Sequence, residues 1–335
     1  MRGWLVLMSV MLIAPFAKGQ FSCSVSASAT NFGTYTGILS TPGSTPLTVT
    51  CPILASYNVG LNAGAGSGAT TTTRKMTGPG AATLSYQMFQ NSSRTTNWGN
   101  AIGTDTLTGT GISLPQTINV YPQAAAGQYV APGTYTDTIT VSVTDLGGSV
   151  TTTMSVTAIV QATCLISASA LNFGTYPGLL ITSSLLTVTC TNTTGFNIGL
   201  NAGTAIGATV TTRKMTGPAS ATLNYKLFRD SARTQNWGNT VGTDTLISQG
   251  NGTAFHYGVF GQLPAGQYVT PGAYADTIIA TVTYLPSDRD RIDRTEDRVA
   301  SGFDVICEAG RPNFFKRSIL RGASTQHKPN RNPPS

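Results

Sequence analysis

Charge is scarce in the body of this chain. The whole sequence of 335 residues holds 20 Lys or Arg and 13 Asp or Glu, but residues 20–286 hold only eight basic and six acidic ones. The body is thus near neutral, and most of the formal net charge of +7 belongs to the two ends. A near-neutral body excludes the basic stripe that nucleic acid requires, so no nucleic-acid partner is expected. Histidine is scarcer still, with only His256 and His327. There is no Gly-x-Ser-x-Gly elbow, no paired-histidine metal motif and no phosphate loop. No catalytic, cofactor-binding or metal-ligating residues are expected, and the chain does not read as an enzyme. Long apolar runs are also missing. The best of them, residues 4–16, is too short to span a bilayer. With Arg2 before it and Ala17-Lys18-Gly19 after it, residues 1–19 read as a secretory signal cut before Gln20.

What is present is said twice. Asn31-Phe32-Gly33-Thr34-Tyr35 returns at residues 172–176, Arg74-Lys75-Met76-Thr77-Gly78-Pro79 at 213–218, and Asn97-Trp98-Gly99-Asn100 at 236–239. The offset is 141 residues at the first pair and 139 at the others. So large and constant an offset means two copies of one whole domain. Four of the five cysteines obey it: Cys23 and Cys51 correspond to Cys164 and Cys190. One pair per copy in an exported chain reads as one disulfide per domain. Two cysteines per copy without a repeated histidine cannot build a four-ligand zinc site.

Short runs of period-two alternation cut by Gly, Pro and Asn predict an all-β fold of two tandem immunoglobulin-like sandwiches. Residues 20–161 form the first domain and residues 162–286 the second. Between the copies, Val150, Met154, Val156, Ala158 and Val160 share one strand face, and Ser149, Thr151, Thr153, Ser155 and Thr157 the other. Residues 149–161 thus supply the first domain with its own last strand. The second has no obvious equivalent and is expected to lack its final strand. Residues 287–335 hold ten basic and seven acidic residues and read as a charged, disordered tail. The best strand candidate there, Phe303-Asp304-Val305-Ile306-Cys307, is short and irregular. Two origins stay open for this tail: a genuine extension, or a read-through past a natural end near Pro286. In the first case Cys307 is a spare thiol able to cross-link chains.

Features common to both copies are assigned to the fold. Trp98 and Trp237 read as core rather than sugar-stacking aromatics. Arg74 and Arg213 read as loop-bonding rather than anion-binding, and Asp137 and Asp276 as satisfied polar contacts. Tyr135 and Tyr274 have the place of a tyrosine corner. Features confined to one copy are the candidates for a specific task. Ile112 and Leu114 lie in residues 108–126, the stretch that differs most from its counterpart. With Ile102 they are the candidate adhesive loop residues, suited to apolar surfaces.

The Cys-x-Val/Ile-Ser start, Asn-Phe-Gly-Thr-Tyr, the Thr-Val-Thr-Cys strand, Arg-Lys-Met, Trp-Gly and the closing Gly-x-Tyr-x-Asp-Thr occur twice and in order. Each copy, over residues 21–160 and 162–285, resembles the spore coat protein U domain, the subunit domain of archaic (Csu-like) chaperone–usher pili. The resemblance implies sandwiches that lack a last strand. A periplasmic chaperone supplies it first and the donor strand of a neighbouring pilin subunit afterwards, with assembly through an outer-membrane usher. Residues 149–161 would then be an internal donor strand. The second domain would accept a strand from another subunit, and without an N-terminal donor strand the chain would stand at a fibre tip. The first domain would be an adhesin for an abiotic or host surface, exported through the periplasm to the cell surface. The alternative is a secreted coat or biofilm-matrix protein that self-associates without chaperone or usher. The charged tail departs from the family's pattern.

Overall fold

The computed structural model describes residues 22–284 and 297–309, so the secretory signal lies outside the described residues. Alternating small, β-branched and apolar residues make strands almost throughout. The first copy contains β1 (Ser24–Ala27), β2 (Thr30–Tyr35), β3 (Thr41–Pro42), β4 (Thr45–Thr50), β5 (Ser56–Leu61), β6 (Arg74–Thr77), β7 (Thr83–Phe89), β8 (Leu107–Thr110), β9 (Gln116–Ala124), β10 (Gly133–Asp145) and β11 (Gly148–Val160). The second contains β12 (Cys164–Ala168), β13 (Leu171–Thr175), β14 (Leu180–Cys190), β15 (Gly195–Leu200), β16 (Arg213–Thr216), β17 (Thr222–Phe228), β18 (Leu246–Gln249), β19 (Ala254–Leu263), β20 (Gly272–Tyr284) and β21 (Asp297–Ala309).

In the first copy the hydrogen-bonded path β1-β4-β9-β7-β6-β10-β11-β2 curls back on itself, with β5 and β8 continuing from β10. Curling sets two faces against each other. Leu47, Val49, Leu84, Tyr86, Met88 and Val120 on one side meet Val59, Leu61, Ile139, Val141, Met154 and Val156 on the other in one apolar core. The second copy repeats the arrangement around its own core. Cys23–Cys51 and Cys164–Cys190 are disulfides closing 28 and 26 residues. Each stabilises its sandwich by about 3–4 kcal/mol on the chain-entropy account.

A buried polar node holds each sandwich in register. Arg74 is fully buried and donates to the carbonyls of Asn62, Thr71, Leu61 and Trp98 at 2.7–2.9 Å. Burial lowers its pKa to about 10, which still leaves the guanidinium charged at neutral pH. Trp98, also fully buried, donates its indole N–H to Val59 O at 2.9 Å, so its ring cannot stack on a sugar. Asp137 accepts from the Tyr86 hydroxyl at 2.6 Å and from the Ala65 and Thr138 amides at 2.7 Å. Burial first, then the Asp137 hydrogen bond, pushes the Tyr86 hydroxyl well above its usual range. Arg213, Trp237, Asp276 and Tyr225 reproduce the same contacts. Tyr135 and Tyr274 each bond a carbonyl four residues upstream, at 2.7 Å, as a tyrosine corner does.

The two-sandwich architecture expected from the repeats is found, with one difference at its end. The place of the last strand in the second sandwich, expected to be vacant, is taken by Asp297–Ala309. The tail expected to be disordered therefore contributes a strand, while residues 285–296 and 310–335 lie outside the described residues. The physical reason is that alternation, not overall charge, decides whether a segment fits a sheet. Phe303, Val305 and Cys307 are buried, whereas Gly302, Asp304 and Ile306 face outward. Cys307 lies on the inward face of this strand and donates its thiol to Gly174 O at 3.1 Å, so in this state it is not placed to cross-link chains.

Replacing Arg74 by Met removes the donor from four carbonyls in one step. Equilibrium urea unfolding of the purified protein is expected to show a loss of at least ~3 kcal/mol from the first sandwich. A midpoint unchanged from wild type would mean that the node is not holding the loops.

Candidate strand-acceptor groove and distal loops

In each sandwich the last strand fills the same gap. β11 runs antiparallel to β10 from Gly133↔Val160 to Asp145↔Gly148, and parallel to β2 through Val156↔Thr30 and Val160↔Tyr35. Without it, β10 and β2 would each present an unpaired edge over an open core. The five residues read as an internal donor strand all lie on β11. Met154, Val156, Ala158 and Val160 are buried in the core, and Val150 packs against its margin. Thr30 Oγ1 lies 3.5 Å from Met154 Sδ and 2.9 Å from Thr45 Oγ1, tying the inserted strand to both faces.

β21 occupies the matching gap, antiparallel to β20 from Gly272↔Ala309 to Tyr284↔Asp297 and parallel to β13 through Leu171↔Val305 and Asn172↔Ile306. The registers coincide. Phe303 faces Ile278 as Met154 faces Ile139, Val305 faces Asp276 as Val156 faces Asp137, and Cys307 faces Tyr274 as Ala158 faces Tyr135. What differs is the connection. β10 and β11 are joined by the tight turn Leu146-Gly147, with Asp145 accepting from the Gly147 and Gly148 amides at 2.7 and 3.0 Å. β20 and β21 are separated by residues 285–296.

The candidate adhesive residues are divided by the fold. Ile112 and Leu114 lie on the loop between β8 and β9, and this loop is laced to the turn between β4 and β5. Leu54 N–H donates to Gly111 O, Gly111 N–H to Ala55 O and Ser113 N–H to Cys51 O, all at 2.8–2.9 Å. Ile53 N–H donates to Ser113 Oγ at 2.9 Å. The result is a single tip bearing Ile53, Leu54, Ile112 and Leu114, each at least half exposed, with Leu54 at 81 %. The β10–β11 turn reaches the same end, because Asp145 Oδ2 accepts from the Cys23 amide at 3.2 Å and Cys23 is bonded to Cys51. Its Leu146 is fully exposed. Ile102 is 60 % exposed but stands on a separate loop, residues 99–105, in which Ala101 N–H bonds Asp105.

Ile53, Leu54 and Leu146 were missed by the sequence reading. Comparing the copies would have found the first two. At the corresponding places the second sandwich has Asn192, Thr193, Asn251 and Thr253 in the same backbone arrangement, with Thr193 N–H bonded to Gly250 O and Gly252 N–H to Cys190 O. That end of the second sandwich is seated on the first, through Asn192 N–H to Tyr129 O at 2.8 Å. The sandwiches thus stack head to tail, and the apolar tip points away from the joint.

Val156→Asp places a carboxylate in the core beneath β11, and Ser155→Asp places one on its exposed face. The first is expected to cost more than ~4 kcal/mol and to abolish the soluble product, the second less than ~0.5 kcal/mol. Yield and urea midpoint of the pair measure this, and equal effects would contradict the inward face assigned to Val156.

Residues 9–142 and 150–281 each match the Spore Coat Protein U domain family. "Protein U" of Myxococcus xanthus is 38 % identical over 128 residues, which cover 34 % of this chain and 71 % of that protein. Among solved structures, the CsuC–CsuE chaperone–tip adhesion subunit pre-assembly complex of Acinetobacter baumannii Csu pili is similar at 16 % identity. Its TM-score is 0.49, over 78 % of this chain and 99 % of that one. CfaE, the adhesive subunit of CFA/I fimbria of enterotoxigenic Escherichia coli, is similar at 12 % identity and TM-score 0.36, over 86 % and 99 %. These two likenesses are too distant to carry the assignment, which rests on the sequence matches. The chain belongs to the Spore Coat Protein U domain family and carries that domain twice.

Proposed function

We propose that this chain is an exported, two-domain subunit of a surface pilus assembled by strand complementation, standing at the fibre tip with its first sandwich as the adhesin. The observation that carries the reading is the last-strand gap. In both sandwiches one long strand closes the core between two edges, and in the second that strand is joined through residues 285–296 rather than a tight turn. A gap of this shape takes any strand with alternating apolar side chains, which is how a periplasmic chaperone and then the donor strand of a neighbouring subunit would use it. An outer-membrane usher would complete the export route. The first sandwich is completed within the chain, which suits a terminal position.

The apolar tip supports the adhesive role. Ile53, Leu54, Ile112, Leu114 and Leu146 stand at the end turned away from the second sandwich. Exposed apolar side chains gathered at one end are suited to a dehydrated contact with an abiotic or host surface. Burying two of them is worth about 3–6 kcal/mol. Ile112→Ser with Leu114→Ser is therefore expected to lower adhesion to a hydrophobic surface at least tenfold, with an unchanged unfolding midpoint. Ile102→Ser is expected to do less. Undiminished adhesion by the double variant would reject the tip as the contact.

One observation favours a second reading, a self-associating coat or matrix protein that needs no chaperone or usher. The second sandwich is completed by β21, so the chain has a closed form of its own. Deleting a neighbouring chaperone gene separates the two. The pilus reading expects the protein to disappear from the cell surface, and the coat reading expects it to remain.

A further inference from the structure

We infer that Asp297–Ala309 is a resident closing strand of the second sandwich, seated in cis and displaced when a strand of alternating apolar side chains enters from another molecule. This rests on the strand-acceptor reading above and adds the occupant that the incoming strand must replace. The second sandwich then has two closed states, one complete in the isolated chain and one complete in the assembly.

Three observations carry it. The tail strand is not a loose cover, because its register on β20 repeats that of β11 on β10 residue for residue. Its buried face, Phe303, Val305 and Cys307, reaches the core that Leu171, Phe173, Ile278 and Ala280 share. A strand so matched keeps the β20 and β13 edges paired and the core dry, which prevents edge-to-edge aggregation before assembly.

The same strand is built less firmly than its counterpart. Gly302 stands where β11 has Thr153, Ser301 where it has Thr152, and Ala309 where it has Val160. Glycine inside a strand weakens it, since it forfeits more chain entropy and packs nothing. β11 offers an incoming strand no such opening.

The connections differ in the same sense. β11 cannot leave without opening a two-residue turn fixed by Asp145. β21 is held by twelve residues, 285–296, of which seven are charged. No two-residue turn therefore has to open for β21 to part from β20. A tethered strand that can depart while its neighbours remain folded is the arrangement a displacement step needs.

Cys307 reports the event. The other four cysteines are in disulfides, and Cys307 is buried on the inward face of the seated strand. In the purified full-length exported protein its reaction with a thiol reagent is expected to be at least ~100-fold slower than in the urea-unfolded chain. A synthetic peptide of residues 148–160, the first sandwich's own closing strand, serves as the incoming strand. It is expected to bind and to speed labelling of Cys307 saturably. Labelling as fast in the folded chain as in the unfolded one, without peptide, would show that the tail is not seated and overturn the inference. So would a peptide that neither binds nor speeds labelling of the wild type, while the Phe303→Asp chain binds it; the tail would then be a permanent strand and the acceptor reading would survive. If Phe303→Asp proves insoluble, a chain ended after Pro286 and refolded with the peptide replaces it. A chain freed of its tail that stays folded and binds no peptide would remove the acceptor reading as well.

Discussion

An apolar core covered on one side by a curled sheet is unstable in water until the last strand is in place. Between β10 and β2, and again between β20 and β13, the backbone groups of two edges need partners and the side chains beneath them need a lid. One strand meets both needs, because its amides pair left and right while alternate side chains point down. The other features depend on that closure. Asp137 and Asp276, which organise the Tyr86 and Tyr225 hydroxyls and the 62–65 and 201–204 turns, sit directly opposite Val156 and Val305 of the closing strands. Removing the closing strand would open these carboxylates to solvent and loosen the node that fixes the loops.

Identical demands have been met in two ways. In the first sandwich the closing strand follows its neighbour through a two-residue turn, which makes the contact local in sequence and quick to form. In the second it arrives through a longer, charged connection, so the loop must close before the contacts are gained. A short connection makes the closing strand part of a hairpin. A long one makes it an independent segment that competes with any other strand of the same pattern. The duplication therefore holds the same groove in a committed form and in an exchangeable form.

The duplication, the all-β class, the disulfide pairs and β11 were legible because each leaves a regular mark: a constant offset, period-two alternation, one cysteine pair per copy. The roles of Arg74, Trp98 and Asp137 were legible only through their recurrence in the second copy. β21 was obscured by composition. Asp304 and Glu308 between its apolar residues, and Ile306 on the outer face, break the contrast that alternation needs, and the neighbouring charge run dominates any window around it. The tip was half legible for a different reason. Ile112 and Leu114 stood out as copy-specific, but Ile53 and Leu54 come from sequence far upstream and join them only through the backbone bonds of Leu54, Gly111 and Ser113. Nothing in local sequence announces a contact made by a loop 60 residues away.

The tip and the joint between the sandwiches are the same end of the domain put to different uses. In the second sandwich this end carries Asn192, Thr193, Asn251 and Thr253 and seats on the Tyr129 carbonyl. Polar side chains suit a joint whose backbone groups must find partners at its rim. In the first sandwich no such joint is made at this end among the described residues, and the same backbone carries Ile53, Leu54, Ile112 and Leu114. The backbone is shared to the point that Leu54 and Thr193 have φ near 61° and 66° at matching positions. Strain at Leu54 is therefore a property of the fold and says nothing about function. Only the side chains separate the two ends, and they separate them by solvation: one end hydrogen-bonds a neighbour, and the other presents apolar surface to water. That surface lowers its free energy only by leaving water, so the same duplication that built the joint also built an apolar tip.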